Sequence, residues 1–268
     1  MKLAAIQMTS GSNIKKNLLL ARTYVENAAI AGASLIVLPE NFSLMSNKNA
    51  DPQGAAASHE EIRDFLSQIA CECNVIVVGG SVPLAGVNGL ITNSCLVYDK
   101  DGSFLAQYDK VHLFDVSIPD GESYGESKYI QPGHNLVTVD IASTCIGLSI
   151  CYDIRFPEMY RSLVLSGAEI LTVPAAFTVP TGQVHWELLL RARAVENLSW
   201  VIGAAQIGDH PGRSTWGHSM IVSPWGEVCA VKVAGEGFIV VEADLTKLRD
   251  LRKKFPSLEH RRLSVDFG

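Results

Sequence analysis

Two short stretches, one in each half of the chain, share a pattern that limits the folds open to it. Gly32–Pro39 reads GASLIVLP, and Gly167–Pro174 reads GAEILTVP. In both, the glycine is typical of a helix C-terminus, and the apolar run before the proline is typical of a buried strand. Although such similarity also arises by chance, it indicates two pseudo-equivalent halves that each contribute a sheet. We therefore predict a two-sheet sandwich with helices outside rather than one open sheet.

The rest of the sequence alternates β-branched runs with amphipathic helices, which is typical of an α/β protein. A first strand at 2–8 precedes a helix that begins after Asn13 as its N-cap and runs to about Gly32. Ser58–Glu61 has the spacing of a capping box, which predicts a helix that ends near Asn74.

The middle of the chain predicts antiparallel pairing. Thr92–Tyr98 and Ser103–Tyr108 alternate on either side of a turn, so they predict a β-hairpin and make the sheets mixed. Later strands are expected near 135–140, 144–150, 169–174, 200–206, 217–223, 227–232 and 237–243, with helices at 157–166 and 183–198. A short basic tail is expected to follow the last strand.

Composition favours one domain that spans residues 1–268. Its 268 residues are 47% apolar, and neither a linker nor a low-complexity tract divides them. A net charge of −6 argues against nucleic acid as the main partner. The apolar run in Met1–Met8 is too short for a signal peptide or a membrane span, so no membrane partner is expected.

The cysteines indicate a reducing environment. Six are scattered at positions 71, 73, 95, 145, 151 and 229, with neither the density of a disulfide scaffold nor paired metal-binding spacing. We therefore predict a cytoplasmic protein. His185 and Glu187 do not form an HExxH zinc motif, and no metal or other cofactor is expected.

Cys151 stands where a strand is predicted to stop and a helix to start, since Pro157 suits a first helical turn. Free backbone N–H groups at such a junction would favour the thiolate and could hold an oxyanion. The alternative is a small core residue, because cysteine is often buried.

Glu40 and Lys110 also follow predicted strands. A carboxylate in the apolar surroundings of Glu40 is expected to have a raised pKa, which suits a general base. The alternatives are a helix cap or surface acid for Glu40 and an exposed edge lysine for Lys110. Because Glu40, Lys110 and Cys151 each end a predicted strand, we expect their side chains to converge on one pocket.

Six segments in chain order combine charged, aromatic and proline residues: Leu38–Asn41, Tyr108–Asp115, Leu148–Glu158, His185–Asn197, Trp216–Ser219 and Pro224–Gly226. Together they resemble the signature stretches of the nitrilase (carbon–nitrogen hydrolase) superfamily over nearly the whole chain. The resemblance implies an α/β fold, a four-layer αββα sandwich with two mixed β-sheets.

The resemblance also implies a catalytic triad of Glu40, Lys110 and Cys151. In it, Glu40 acts as general base and acid, Lys110 stabilises the oxyanion, and Cys151 is the nucleophile. A second family glutamate corresponds to Glu126, with Glu122 as a competitor in the same loop. The backbone N–H of Tyr152 is expected to complete the oxyanion site.

Two further residues are candidates for substrate binding. Arg155 could bind a substrate carboxylate through both guanidinium nitrogens, and the alternative is a structural salt bridge. Phe177 could line the pocket wall, and the alternative is core packing.

Within the superfamily the chain resembles the Nit branch, although Thr178–Gly182 departs from the Gly/Ser-rich stretch of that branch. The resemblance implies hydrolysis of deaminated glutathione, N-(4-oxoglutaryl)-cysteinylglycine, to 2-oxoglutarate and cysteinylglycine. The alternative substrate is 2-oxoglutaramate or another small carboxy-amide. A homodimer or higher homo-oligomer is also implied.

Proteins of another class stay open as alternatives. One is a catalytically silent interaction protein on the same scaffold. The other is a thiol-redox protein that uses Cys151 with Cys145 as its resolving partner.

Overall fold

The computed structural model describes residues 1–45, 56–117, 123–142, 144–210 and 212–263. The helices are α1 (Ile14–Ile30), α2 (His59–Cys73), α3 (Pro157–Leu165), α4 (Val179–Asn197) and α5 (Leu245–Lys254). The strands are β1 (Lys2–Met8), β2 (Leu35–Val37), β3 (Ile76–Val78), β4 (Val82–Ala85), β5 (Ile91–Tyr98), β6 (Phe104–Asp109), β7 (Asp115–Ser117), β8 (Ser123–Gly125), β9 (Thr138–Ile141), β10 (Thr144–Leu148), β11 (Ile170–Ala175), β12 (Trp200–His210), β13 (Arg213–Trp216), β14 (Ser219–Val222), β15 (Val228–Lys232) and β16 (Gly237–Glu242).

β7 and β8 form a separate antiparallel pair, and the other strands form two mixed sheets. In the first, β1, β2 and β3 run parallel, and β16, β4, β5 and β6 add antiparallel pairs, including the predicted β5–β6 hairpin. In the second, β10, β11 and β12 run parallel, and β9, β14 and β15 are antiparallel. The prediction of two mixed sheets is confirmed, but a short parallel ladder joins them where Gln7 and Met8 of β1 pair with Ala205 and Gln206 of β12.

Helices cover the outer faces of both sheets. Strand β1 shows why, since it is buried on both sides: Leu3 and Ala5 belong to the core shared with the second sheet, whereas Ala4 and Ile6 pack in the core under α1 and α2. Helices α3 and α4 pack on the second sheet in the same way. The layers therefore follow the order helix, sheet, sheet, helix, as predicted.

The repeated sequence pattern occupies equivalent places in the two sheets. Gly32 follows α1 with φ +89°, and Gly167 follows α3 with φ +104°, which are backbone conformations that favour glycine. The strands that come next, β2 and β11, each lie in the parallel centre of their own sheet. The two stretches therefore occupy corresponding places in the two sheets, as two pseudo-equivalent halves would place them.

Two local predictions are wrong. The side chain of Ser58 forms no capping hydrogen bond, although α2 begins at the next residue. The expected basic tail instead contains helix α5, whose N-terminus is capped by the Asp244 carboxylate, 2.9 Å from the backbone nitrogen of Lys247. Cationic side chains lie in the last turn of α5, where they interact favourably with the helix dipole. This cluster of charged residues obscured the helical pattern in the sequence. None of the helices described is long and apolar enough to cross a membrane.

Candidate active site

Glu40, Lys110 and Cys151 come together at one end of the strands that precede them. Each follows a strand, β2, β6 and β10 respectively, and their exposed fractions are only 3%, 2% and 9%. The Lys110 Nζ atom lies 2.9 Å from Glu40 Oε1. The structure thus places the three side chains in one buried cluster, as their positions at strand ends led us to expect.

Glu126 completes a pair of carboxylates around the lysine. It begins a 3₁₀ turn (Glu126–Lys128), and its two carboxylate oxygens lie 3.1 and 3.0 Å from Lys110 Nζ. The backbone N–H of Phe114 donates to Glu126 Oε2 at 2.7 Å and fixes the carboxylate. The competing residue Glu122 lies outside the described residues.

Asn93 is a member of the cluster that the sequence analysis missed. Its Nδ2 donates to Glu40 Oε1 at 3.1 Å and to Glu126 Oε1 at 3.4 Å, and its backbone carbonyl accepts from the Lys110 N–H at 2.9 Å. The signal was present, because a fully buried strand rarely carries an asparagine without a specific partner. Asn93 therefore holds both carboxylates and the backbone of Lys110 in place.

The backbone at Cys151 has a conformation that residues other than glycine rarely adopt. Its φ is +49°, and it opens a 3₁₀ turn (Cys151–Arg155) between β10 and α3. Such conformations cost on the order of 1 to 3 kcal/mol, so the surrounding structure must impose them. The turn ends β10 and leaves the Cys151 thiol at the C-terminal end of that strand.

Asp153 supplies much of that constraint, and the sequence analysis did not select it. The carboxylate is fully buried and accepts from the Ile150 N–H at 2.8 Å and from the Tyr108 hydroxyl at 2.7 Å. It also accepts from the backbone N–H of His112 at 3.1 Å and lies 2.8 Å from His112 Nδ1. One carboxylate thereby ties the turn at Cys151 to the segment on both sides of Lys110.

The charges in the cluster correct one expectation. Burial acts to raise the pKa of the Glu40 carboxyl, but the Lys110 ammonium group holds it below its ordinary value of 4.5. The predicted rise in the pKa of Glu40 is therefore wrong. Burial acts to lower the pKa of Lys110, yet the carboxylates of Glu126 and Glu40 raise it well above 10.5.

The thiol is neutral in the resting protein. Burial and the Glu40 carboxylate raise the pKa of Cys151 well above 9.0, although Lys110 and the backbone N–H of Ala176 act to lower it. The prediction that the junction favours a thiolate is therefore wrong. The cluster thus combines a thiol with a charged carboxylate base and an ammonium group, which can form a nucleophile when a substrate is present.

Arg155 is half-buried and ends the 3₁₀ turn that begins at Cys151. Its guanidinium carbon is 5.7 Å from the centre of the Tyr152 ring and 5.5 Å from that of Phe177, and its Nη atoms contact His185 Nδ1 at 3.3 and 3.4 Å. Among the described residues it forms no ion pair, so the alternative of a structural salt bridge is not found there.

Phe177 is buried, with its ring centre 4.9 Å from that of Trp186. It therefore packs in the core and faces Arg155 at the same time. The Tyr152 ring packs against Phe114 and Phe156, with ring centres 5.1 and 5.5 Å apart. The aromatic side chain of Tyr152 is thus engaged in packing.

The structure thus combines a two-sheet αββα sandwich with a buried cysteine, a lysine and two carboxylates at the strand ends. Residues 2–253 match the model of the carbon–nitrogen hydrolase family. The chain belongs to the carbon–nitrogen hydrolase family, which confirms the predicted class of enzyme.

Curated relatives match along almost the full length. The chain is 42% identical over 263 residues to the deaminated glutathione amidase of Synechocystis sp., which covers 96% of this chain and 97% of that protein. It is 37% identical over 262 residues to the omega-amidase NIT2 of Homo sapiens, which covers 97% and 95%.

A solved structure supports the fold. The Nit3 protein of Saccharomyces cerevisiae, a member of branch 10 of the nitrilase superfamily, superposes with a TM-score of 0.86 at 30% identity. The match covers 98% of this chain and 97% of Nit3. The predicted αββα fold and its place in the nitrilase superfamily are confirmed.

Proposed function

We propose that this enzyme hydrolyses a small linear amide through a thioester on Cys151. The observation that carries the proposal is the contact of Lys110 with the Glu40 carboxylate, beside a neutral Cys151 thiol. A charged base next to a thiol can generate the nucleophile only as it attacks, which avoids a buried thiolate in the resting enzyme.

In the acylation step Glu40 acts first as a base and then as an acid. Glu40 accepts the Cys151 proton as the sulfur attacks the amide carbonyl, and the Lys110 ammonium group and the Tyr152 N–H stabilise the oxyanion. Glu40 then donates the proton to the departing nitrogen as the carbon–nitrogen bond breaks. The amine leaves, and the acyl group remains on the sulfur.

Hydrolysis of the thioester repeats these roles, with water as the nucleophile and the Cys151 sulfur as the leaving group. Glu40 removes a proton from water, the oxygen attacks the acyl carbon, and the carbon–sulfur bond breaks. The thiol recovers its proton from Glu40, and the acid departs. Glu126 orients Lys110 through both of its oxygens and keeps the ammonium group charged throughout.

The substrate we favour is deaminated glutathione, which would give 2-oxoglutarate and cysteinylglycine, a metabolite-repair reaction. The Synechocystis relative is a deaminated glutathione amidase, and the half-buried Arg155 offers a guanidinium group to the α-keto carboxylate. Phe177 would hold the acyl chain against that group. A second candidate is 2-oxoglutaramate, because the human relative is an omega-amidase and this substrate carries the same keto acid.

A direct comparison tests the substrate. We expect a higher kcat/KM with deaminated glutathione than with 2-oxoglutaramate at equal concentrations, and the reverse order would overturn the choice. Cys151→Ala should abolish turnover and leave the circular dichroism spectrum unchanged.

Mass spectrometry separates the hydrolase from the other classes. Rapid quenching should trap a 4-oxoglutaryl group on Cys151. A disulfide between Cys145 and Cys151 would instead support redox chemistry, although Cys145 lies near the start of β10 and Cys151 lies beyond its end. A full-length chain that forms no acyl adduct with either substrate would support an interaction protein.

We also propose that the enzyme acts in the cytoplasm as a homodimer or higher homo-oligomer. Free cysteines at all six positions suit a reducing compartment. Exposed apolar side chains on one face of α4 supply a surface for a second copy.

A further inference from the structure

Arg213 is a second half-buried arginine near the catalytic cluster. It opens β13, and its Nη2 atom lies 2.8 Å from the Met45 sulfur, which is a weak acceptor. No ion pair of Arg213 occurs within the part of the chain that the structure describes. No acidic side chain of the described residues neutralises its positive charge, so the guanidinium group can bind an anion.

The position of β13 places this group beside the pocket. At the far end of the strand, the Trp216 N–H donates to the Phe177 carbonyl at 2.9 Å, so β13 borders the same wall as Phe177. Met45 lies five residues beyond Glu40 in the segment that leaves the catalytic cluster. The guanidinium group also acts electrostatically on the Glu40 carboxylate and on the Tyr129 phenol.

The two arginines belong to, or contact, different segments of the site. Arg155 belongs to the turn that begins at Cys151, which holds the acyl group. Arg213 contacts Met45, in the segment that follows Glu40, and Glu40 gives its proton to the departing nitrogen. The leaving group therefore extends toward Arg213 while the acyl group stays near Arg155.

We propose that Arg213 binds a carboxylate on the departing amine. It would thereby select amides whose leaving group is a peptide with a free C-terminal carboxylate. This inference rests on the proposed function and names its leaving-group specificity. In deaminated glutathione the carboxylate is that of the terminal glycine. With 2-oxoglutaramate the departing ammonia has no carboxylate, so Arg213 has nothing to bind.

The test pairs one substitution with three substrates. These are deaminated glutathione, the same molecule with its glycine carboxylate converted to an amide, and 2-oxoglutaramate. We expect Arg213→Gln to lower kcat/KM by about 10- to 100-fold for the first and by less than about twofold for the other two. Wild-type enzyme should prefer the acid over its amide by a similar factor, a measurement that needs no variant.

Arg155→Gln is the matched control, because it should lower kcat/KM for all three substrates. Arg213→Lys should recover part of the activity on the acid, since it keeps the charge but not the paired geometry. Equal losses on all three substrates in Arg213→Gln would assign the residue a structural role and overturn the inference. So would a wild-type enzyme that hydrolyses the acid and its amide equally well. Wild-type enzyme that hydrolyses none of them would overturn the proposed function itself.

Discussion

Lys110 sets the charge state of the active site, because its ammonium group lies between two carboxylates. One positive charge is buried with Glu40 and Glu126 around it, and Asn93 donates to both acids. An unpaired charge would be expensive at this depth, whereas a hydrogen-bonded set of charges is tolerated. The lysine therefore stabilises Glu40 as a carboxylate and still faces the site of an oxyanion.

The rate should depend little on pH near neutrality. The pKa of Glu40 lies below 4.5 and that of Cys151 lies well above 9.0, so the reactive pair of carboxylate and thiol predominates between these values. As pH falls below about 4.5, protonation of Glu40 should reduce kcat/KM, because the base is lost. We expect a flat profile from about pH 5.5 to 8.5 in wild-type enzyme.

Stopped-flow or steady-state rates across this range provide the measurement. Glu40→Gln is the control, since it should lose activity at every pH rather than shift the profile. An acid limb with a midpoint between about pH 6 and 7 would contradict the lowered pKa and support a raised one.

Asp153 is expected to control both stability and rate. Asp153→Asn keeps the shape of the side chain but replaces an acceptor oxygen with a donor that faces other donors. Because the carboxylate is fully buried and accepts four hydrogen bonds, we expect a loss of about 2 to 4 kcal/mol in the free energy of unfolding. The value of kcat should fall and KM should rise, because the displaced turn carries both Cys151 and Arg155.

Urea unfolding and steady-state kinetics would check this prediction together. Asp250→Asn provides the comparison, because Asp250 is exposed on α5 and its ion pair with Lys253 is long, at 3.8 Å. If the two variants unfold at the same urea concentration, Asp153 does not hold the turn.

At the scale of elements, the segment after β2 is positioned by the end of β3. Gly80 has φ +55°, and a Cβ atom there would lie 2.1 Å from the Pro39 carbonyl oxygen and 2.9 Å from that of Leu38. The Ser81 hydroxyl accepts from the Asn41 N–H at 2.9 Å. The residues on both sides of Glu40 are thus held by Gly80 and Ser81, which follow β3. Only glycine at position 80 permits this close approach of the two backbones.

Gly80→Ala should therefore damage both stability and catalysis. The positive φ alone costs about 1 to 2 kcal/mol for an alanine, and the backbone contact adds to that cost. Unfolding by urea should reveal a loss of at least about 2 kcal/mol, and kcat should fall because Glu40 moves. Gly11→Ala is the matched control, since no atom lies within 4 Å of a Cβ atom there. Equal stability of the two alanine variants would show that this close approach is unimportant.

Much of this arrangement could be predicted because strands and their ends leave local signals. The apolar runs and terminal residues of β2, β6 and β10 were sufficient to expect that Glu40, Lys110 and Cys151 converge. The pKa of Glu40 was not predictable in the same way, because it depends on a contact with Lys110, 70 residues away. Asp153 was missed for a similar reason, since three of its hydrogen bonds come from 41 to 45 residues upstream.

At the scale of the whole molecule, local sequence patterns also failed to predict how the two sheets are joined and where the last helix lies. The repeat at Gly32 and Gly167 predicted two sheets, but the ladder between β1 and β12 that joins them pairs residues far apart in the sequence. Helix α5 was missed because its charged residues outweighed its few apolar ones, and only Leu248 of this helix is buried. Long-range pairing and marginal helices are thus the features that local patterns leave open.

The outer face of α4 is the surface most suited to a second copy. Val184, Leu188 and Val195 are exposed and fall on one side of the helix, because steps of four and seven residues return to nearly the same face. Trp225 is also exposed, in the turn that meets this helix where the Arg191 Nε donates to the Gly226 carbonyl at 3.0 Å. An apolar surface of this kind favours burial, and a stable dimer needs about 800 Å² from each partner.

Leu188→Glu should therefore convert a dimeric enzyme into a monomer, because a charge placed in an apolar interface loses its hydration without gaining a partner. Sedimentation velocity at micromolar concentration would measure the change. Leu19→Glu is the matched control: Leu19 is 67% exposed on α1, in the opposite helical layer, and Leu188 is 66% exposed. Wild-type enzyme and Leu19→Glu should sediment as dimers or larger assemblies, and Leu188→Glu should sediment more slowly than both. A wild-type monomer, or an assembly that survives Leu188→Glu unchanged, would exclude this face as the interface.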